Sequence, residues 1–230
     1  MTLLVIAAGI IGILGFRAGM VFLRKNQYAN YWQQEISAGA PKDALRLVVL
    51  GDSISQGVGA SRVEKGLVGR VARHLRARCG KDVAIKNYSR SGATAEDVAM
   101  RQLPLADFDA ADVVLLEIGA NDTRRLTPEE YERYLNTIIA TLPLEKTVIA
   151  DVPFVSNREA YQEKLDQVLK GKSAIRAHFV PELIQTSSWK VTAGDFFHPN
   201  DKGYELWFKS FKPGIDEVLE GRSLLKEVEK

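Results

Sequence analysis

The chain has 230 residues, of which 46% are hydrophobic and 26% are charged, and this balance is typical of a folded protein with a sizeable core. A formal net charge of only +2 gives no support for a nucleic-acid binder. Cys79 is the single cysteine, which excludes a disulfide within the chain.

The N-terminal segment differs from the rest of the chain. Residues 2–23 are almost wholly apolar, with Arg17 as the one charged interruption. As a helix this segment would reach about 33 Å, which is enough to cross the apolar core of a bilayer. We therefore predict a single-pass transmembrane anchor over residues 1–25. The aromatic residues that follow it would lie at the membrane interface, namely Tyr28, Tyr31 and Trp32.

The charges that flank this segment bear on its orientation. Arg24 and Lys25 follow the apolar run and no basic residue precedes it, so the positive-inside tendency places the rest of the chain on the cytoplasmic side. The periplasmic or extracellular side stays open. Two other interpretations also stay open: a cleaved signal peptide, which normally has a basic start and a small-residue cleavage site, and a helix buried in the protein.

Beyond the anchor we predict a polar linker over residues 26–44, one folded domain over residues 45–220 and a polar tail over residues 221–230. Short runs rich in Val, Ile and Leu recur through the domain, as is typical of buried parallel strands. These runs are residues 45–50, 83–88, 113–118 and 147–152, with a weaker candidate at 174–180.

Helical segments separate the strands. Several begin with a hydroxyl residue followed three positions later by a carboxylate, the pattern of a capping box. These pairs are Ser61 with Glu64, Thr94 with Asp97, Thr127 with Glu130, and Ser156 with Glu159. Strand–helix alternation predicts a three-layer α/β/α sandwich with a central parallel sheet, whose ligands bind beyond the carboxyl ends of the strands.

A candidate nucleophile follows the first strand. Ser53 lies on a tight turn after Gly51, where its hydroxyl can project from the backbone. The Gly-x-Ser-x-Gly elbow of the α/β-hydrolases is not matched, because Ser55 occupies the last position. Local sequence alone leaves two roles open for Ser53, a nucleophile and a helix cap.

A candidate base and its carboxylate partner lie near the end of the domain. His198 can accept and return a proton near neutral pH. Asp195 precedes it by three residues and could hold one ring nitrogen while the other faces Ser53. A surface loop with an unrelated Asp and His is the alternative.

Oxyanion stabilisation requires hydrogen-bond donors aimed at the developing charge. The candidates are the backbone N–H groups of Ser53 and Gly92 and the side-chain amide of Asn121. Taken alone, Gly92 is more typical of an ordinary loop, and Asn121 is equally typical of a turn.

Together these blocks resemble the SGNH hydrolases, also called GDSL esterases/lipases. The matching residues are Gly51-Asp52-Ser53, Gly92, Gly119-x-Asn121-Asp122 and Asp195-x-x-His198. The resemblance implies that Ser53 is the nucleophile, His198 the base and Asp195 its orienting acid, with Ser53, Gly92 and Asn121 as the oxyanion hole. It also implies a flavodoxin-like fold, no metal and no organic cofactor.

These observations predict a serine hydrolase that cleaves carboxylic esters through an acyl-enzyme. Its substrate would be a small-molecule or lipid ester, and the N-terminal helix would bind the membrane. Thioesters, lysophospholipids and O-acetylated carbohydrates stay open as substrates, and a non-catalytic binding protein on the same fold is the alternative outside enzymes. Aromatic and apolar residues would either shape an acyl pocket or simply pack, namely Phe154, Val155, Trp189, Phe196 and Phe197. Acyl length and oligomeric state do not follow from the sequence.

Overall fold

The computed structural model describes the backbone of residues 2–226 and the side chains of residue 12 and residues 15–226. Five parallel strands form one sheet in the order β2-β1-β3-β4-β5. The strands are β1 Leu45–Gly51, β2 Val83–Asn87, β3 Val113–Glu117, β4 Thr147–Ala150 and β5 Ile175–Ala177. The α-helices are α1 Thr2–Ser37, α2 Ser53–Gln56, α3 Leu67–Cys79, α4 Ala95–Asp97, α5 Asp122–Arg125, α6 Pro128–Thr141, α7 Arg158–Leu169, α8 Pro181–Gln185, α9 Ser188–Val191 and α10 Asp201–Gly221. A π-helical turn, Val98–Gln102, extends α4, and 3-10 turns occupy Val63–Lys65, Leu103–Leu105 and Leu144–Lys146.

The sheet separates two hydrophobic cores, one on each face. Successive strand residues point to opposite faces, so Leu47 and Val49 of β1 join the core formed with α3 and α10. Val48 and Leu50 join the core formed with α6 and α7. This arrangement confirms the predicted three-layer sandwich with its central parallel sheet.

The strand order determines where a site can form. The chain moves from β1 to one neighbour, β2, and then returns across β1 to β3 on its other side. Loops that leave β1 and β3 therefore diverge, and they leave a crevice beyond the carboxyl ends of these two strands.

Two of the four predicted capping boxes are present. Thr94 with Asp97 and Thr127 with Glu130 form reciprocal side-chain and backbone hydrogen bonds at the starts of α4 and α6. The prediction at Ser61 was wrong, because that side chain instead bonds Asp201 and α3 begins later, at Leu67.

The fourth predicted box is also absent. Helix α7 begins at Arg158 after Asn157, which has a left-handed backbone and makes no side-chain cap, so Ser156 does not cap the helix.

The first helix extends well beyond the predicted anchor. Residues 26–37, predicted as linker, continue α1 to Ser37. Tyr28 and Trp32, predicted at a membrane interface, are buried in the domain core, where Tyr28 Oη donates to Ala60 O at 2.8 Å and Trp32 Nε1 to Gln56 O at 3.0 Å. The physical reason is their spacing of four residues, which places both aromatic rings on one face of the helix toward the domain.

No helix in the described part of the chain is long and apolar enough to cross a membrane. The described residues give no support to the predicted transmembrane anchor over residues 1–25, or to membrane binding and a single-pass location, and these stay predictions. The side chains of residues 1–11, 13 and 14 lie outside the description.

The predicted polar tail is partly packed. After α10 ends at Gly221, Leu224 and Leu225 pack against the core, and the Lys226 N–H donates to Arg78 O at 3.0 Å. Residues 227–230 lie outside the described residues.

Candidate active site

Ser53 begins a four-residue helix that immediately follows the central strand β1. The Asp52 side chain caps this helix by accepting the Ile54 N–H at 2.9 Å. Gly51 allows the turn to approach β3 closely, since a Cβ atom there would lie 2.2 Å from the Glu117 carbonyl oxygen. Ser53 is therefore held at the crevice between the two strands.

The predicted base and acid reach Ser53 from a loop that precedes α10. His198 Nε2 lies 2.9 Å from Ser53 Oγ, although the two residues are 145 positions apart in sequence. His198 Nδ1 lies 2.6 Å from Asp195 Oδ2, so the three predicted residues form one hydrogen-bonded line. With the Nδ1 proton directed at Asp195, Nε2 is free to accept the proton of Ser53.

Asp195 is built to remain ionised. Partial burial raises its pKa, but hydrogen bonds from His198 and from the backbone N–H groups of Phe197 and His198 outweigh burial and leave the pKa below its ordinary value. Both backbone donors lie 3.1 Å from Asp195 Oδ1. The acid therefore orients the ring and also shapes the loop that carries it.

Contacts of the His198 ring, of its backbone and of the following helix hold this loop in place. The Phe197 ring meets the His198 ring edge-on, with centroids 4.9 Å apart. The His198 carbonyl accepts the Ala193 N–H at 2.7 Å. Tyr204 Oη donates to Val58 O at 2.6 Å and joins α10 to the segment that follows the nucleophile.

Gly92 lies on a loop that is bonded to the nucleophile helix. Gln56 Oε1 accepts the backbone N–H and the hydroxyl of Ser91, at 3.0 and 2.6 Å. Gly92 itself has φ of +81°, which favours glycine, and its carbonyl accepts Arg125 Nη1 at 2.7 Å. The loop position of Gly92 is thus set by α2 on one side and by α5 on the other.

Asn121 precedes α5 and directs its amide toward the nucleophile turn. Its Nδ2 atom donates to Asp52 Oδ2 and to Ala93 O, both at 3.0 Å. Both amide hydrogens therefore have acceptors in this structure. The predicted oxyanion role of Asn121 stays a prediction, and it requires one of these bonds to be exchanged for the substrate oxygen.

A cavity of about 350 Å³ opens beside Ser53 and His198. Its walls are mainly apolar and include Phe154, Leu183, Ile184, Val191, Phe196 and Phe197. Val155 also lines the cavity. Trp189, which was also considered for an acyl pocket, does not line the cavity and is 68% exposed.

Sequence reasoning missed several polar residues that support these groups. The Gln102 side chain, in the π-helical turn, bonds both the N–H and the C=O of Gly51 at 2.9 Å. Asn87 Nδ2 donates to Ser55 O at 3.0 Å, and Glu117 lies behind the turn, wholly buried. No local pattern distinguishes a buried Gln or Asn from a surface one, but Glu117 has a signal, because it is the only charged residue in an otherwise apolar strand.

No group of three or more metal-ligating side chains occurs within residues 2–226 as described. In this part of the molecule, the candidate site consists of the cavity and the hydrogen-bonded residues Asp195, His198 and Ser53.

Comparison with known proteins agrees with this geometry. A model described as the GDSL-like Lipase/Acylhydrolase family matches residues 49–206. No curated protein matches the chain.

Three solved structures with the same fold are distant from this chain in sequence. The psychrotrophic esterase EstA from Pseudoalteromonas sp. is 21% identical, with a TM-score of 0.62, over 76% of this chain and 98% of its own. A lipase/acylhydrolase from Enterococcus faecalis is 23% identical, with a TM-score of 0.63, over 81% of this chain and 100% of its own. Axe2, an acetylxylan esterase from Geobacillus stearothermophilus, is 20% identical, with a TM-score of 0.60, over 76% of this chain and 96% of its own. These likenesses concern the fold.

Proposed function

The chain belongs to the GDSL-like lipase/acylhydrolase family, whose model covers more than half of its length, and we propose that it hydrolyses carboxylic esters through an acyl-enzyme formed on Ser53. The observation that carries this proposal is the hydrogen-bonded line from Asp195 through His198 to Ser53, with separations of 2.6 and 2.9 Å. A serine hydroxyl is a weak nucleophile until such a base is positioned to take its proton.

Acylation follows from these contacts. Ser53 Oγ attacks the ester carbonyl carbon while His198 Nε2 accepts the hydroxyl proton, and the Asp195 carboxylate stabilises the resulting imidazolium. The backbone N–H groups of Ser53 and Gly92 and the Asn121 amide would bind the tetrahedral oxyanion. His198 then donates its proton to the departing alcohol, which leaves the acyl group on Ser53.

Deacylation repeats the sequence with water. His198 takes a proton from a water molecule that attacks the acyl carbonyl, and it returns a proton to Ser53 Oγ as the carboxylic acid leaves. Each residue therefore ends the cycle in its starting protonation state.

Replacing the nucleophile tests this mechanism. Ser53→Ala should lower turnover of p-nitrophenyl butyrate by at least about 1000-fold, because no other group can form the acyl intermediate. A fluorophosphonate probe should label the wild-type chain covalently and fail to label the variant. The matched control, Ser187→Ala, changes an exposed serine and should keep both the ester turnover and the labelling. Full turnover by Ser53→Ala would exclude this mechanism, and an unlabelled, inactive wild-type chain would favour a binding protein.

The cavity favours a substrate with an apolar acyl chain. Its apolar walls would receive a chain of methylenes, whereas an acetyl group would leave most of the roughly 350 Å³ unfilled. Each methylene moved from water into such a site contributes about 0.8 kcal/mol, equivalent to about fourfold in kcat/KM.

A chain-length series measures the acyl site. We expect kcat/KM for p-nitrophenyl esters to rise from acetate to octanoate and to stop rising by palmitate, once the cavity is full. Ile184→Trp, which enlarges an exposed residue of the cavity wall, should move the optimum to shorter chains, while Trp189→Ala, outside the cavity, should not. A flat series, or a maximum at acetate in the wild-type chain, would contradict an acyl site here. Thioesters, lysophospholipids and acetylated sugars, included in the same panel, identify the leaving group.

A further inference from the structure

Two carboxyl groups lie wholly buried directly behind the nucleophile turn. Glu117 ends β3 and pairs in register with Gly51 at the end of β1, and Asp52 is the next residue along the chain. Both Asp52 and Glu117 have 0% exposed area. Charged groups are rarely buried without a partner, because their desolvation is unfavourable by several kcal/mol.

Among the described residues, no lysine or arginine forms an ion pair with either carboxyl. Their side chains instead lie within reach of each other, and each shifts the pKa of the other. Two carboxylates in a shared apolar site cannot both ionise readily, so the pair retains one proton near neutral pH.

The donors around the pair decide where that proton lies. Asp52 accepts two N–H groups, from Ile54 at 2.9 Å and from the Asn121 amide at 3.0 Å, and both stabilise its negative charge. The donors to Glu117 come from Ser55: its hydroxyl lies 3.3 Å from Oε2 and its backbone N–H also bonds the carboxyl, whereas Oε1 has no donor. A neutral Glu117 satisfies both groups, because its hydroxyl can donate to the Asp52 carboxylate.

The pKa shifts agree with this assignment. Burial raises the pKa of Glu117 well above its usual range, and the nearby Asp52 charge raises it further. Burial also raises the pKa of Asp52, to about 6, although the Ile54, Glu117 and Asn121 hydrogen bonds and the His198 charge act in the opposite direction.

Other titratable groups face the pair. Asp122 lies nearby with a pKa raised by burial to about 7, and the buried hydroxyls of Tyr131 and Tyr204 also lie near Glu117. On the solvent side, His198 faces Asp52.

We propose that Glu117 is a positioning residue for the reaction above: as a neutral acid it donates to the Asp52 carboxylate, which holds the Asn121 amide and the Ser53 turn in place. The inference rests on the proposed function for its kinetic consequence. Glu117 touches no substrate, and its proton does not move during the cycle. Its removal should affect kcat more than KM, because the orientation of oxyanion donors matters most in the transition state.

Two substitutions at this position separate the roles of proton and charge. Glu117→Gln keeps a donor to Asp52 and cannot ionise, so kcat should stay within about threefold of wild type. Glu117→Leu removes the donor, and kcat should fall by about 10- to 100-fold with little change in KM. Equal losses in the two variants would show that a charged Glu117 is needed, and an unchanged kcat in Glu117→Leu would remove the positioning role.

Infrared difference spectroscopy tests the protonation state without relying on activity. Near neutral pH, the wild-type chain should show a neutral-carboxyl band from Glu117 that is absent from Glu117→Gln. The band should persist in Asp122→Asn. A spectrum in which Glu117→Gln removes no such band would overturn the proposal, even if Glu117→Leu fails to fold. Ser53→Ala, assayed in parallel, separates the outcomes, since full activity there removes the proposed function while the infrared result still decides the state of Glu117.

Discussion

At the scale of single residues, Asn121 shows how strongly the site is organised before a substrate arrives. Its amide donates to the Asp52 carboxylate and to the Ala93 carbonyl, so its orientation is set by the protein. A donor whose position is already set needs little reorganisation to stabilise developing charge. The proposed oxyanion role requires the ester oxygen to displace one of these two acceptors, and the increase in its negative charge during attack favours that exchange.

Truncation of this side chain tests the role. Asn121→Ala should lower kcat by about 100- to 1000-fold with a smaller effect on KM, because the missing donor acts mainly in the transition state. Steady-state kinetics with p-nitrophenyl butyrate measure both constants. The control Asn136→Ala removes an exposed amide from α6 and should leave them unchanged. A change in KM alone would assign Asn121 to substrate binding.

At the scale of secondary structure, α1 is a structural part of the domain in its second half. Tyr28 and Trp32 lie in the core, and both bond carbonyls in the segment that follows the nucleophile. Val21 lies about two turns before Tyr28 and packs with Val58 and Ala193. The helix therefore contacts both the segment that follows Ser53 and the loop that carries His198.

Removal of one buried ring measures this docking. Trp32→Ala should lower the free energy of unfolding by about 3–5 kcal/mol, since it creates a cavity and leaves the Gln56 carbonyl without its donor. Gln34→Ala, on the exposed face of the same helix, should change it by less than about 0.5 kcal/mol. Chemical denaturation of the full chain provides the measurement, and equal midpoints for both variants would mean that α1 does not stabilise the domain.

At the scale of the whole molecule, the sheet order explains why distant residues meet. The central strands β1 and β3 place Ser53 and Asn121 at one edge, and the loop before α10 returns over that edge with His198. The number of residues between these positions in the sequence does not matter, because the carboxyl ends of parallel strands lie at the same edge of the sheet whatever the length of the connections.

Apolar runs and two capping boxes were sufficient to predict the five strands, the starts of α4 and α6, and the layered fold. They succeeded because strand burial and helix caps depend on neighbouring residues. The same local reasoning misjudged residues 26–37 as a linker, because most of these residues are polar. The segment is helical, and its apolar face, with Tyr28 and Trp32, is buried by contacts with distant parts of the chain.

By itself, the sequence determined the fold class, the family and the residue types of the candidate site, because each depends on short patterns. Only the tertiary structure decided that Ser53, His198 and Asp195 lie within hydrogen-bonding distance and that Asn121 is held by Asp52. It also decided that Glu117 is buried beside Asp52 without a cation among the described residues. Hydrogen bonds and desolvation depend on which atoms surround a group in space, and residues far apart in the chain supply those atoms.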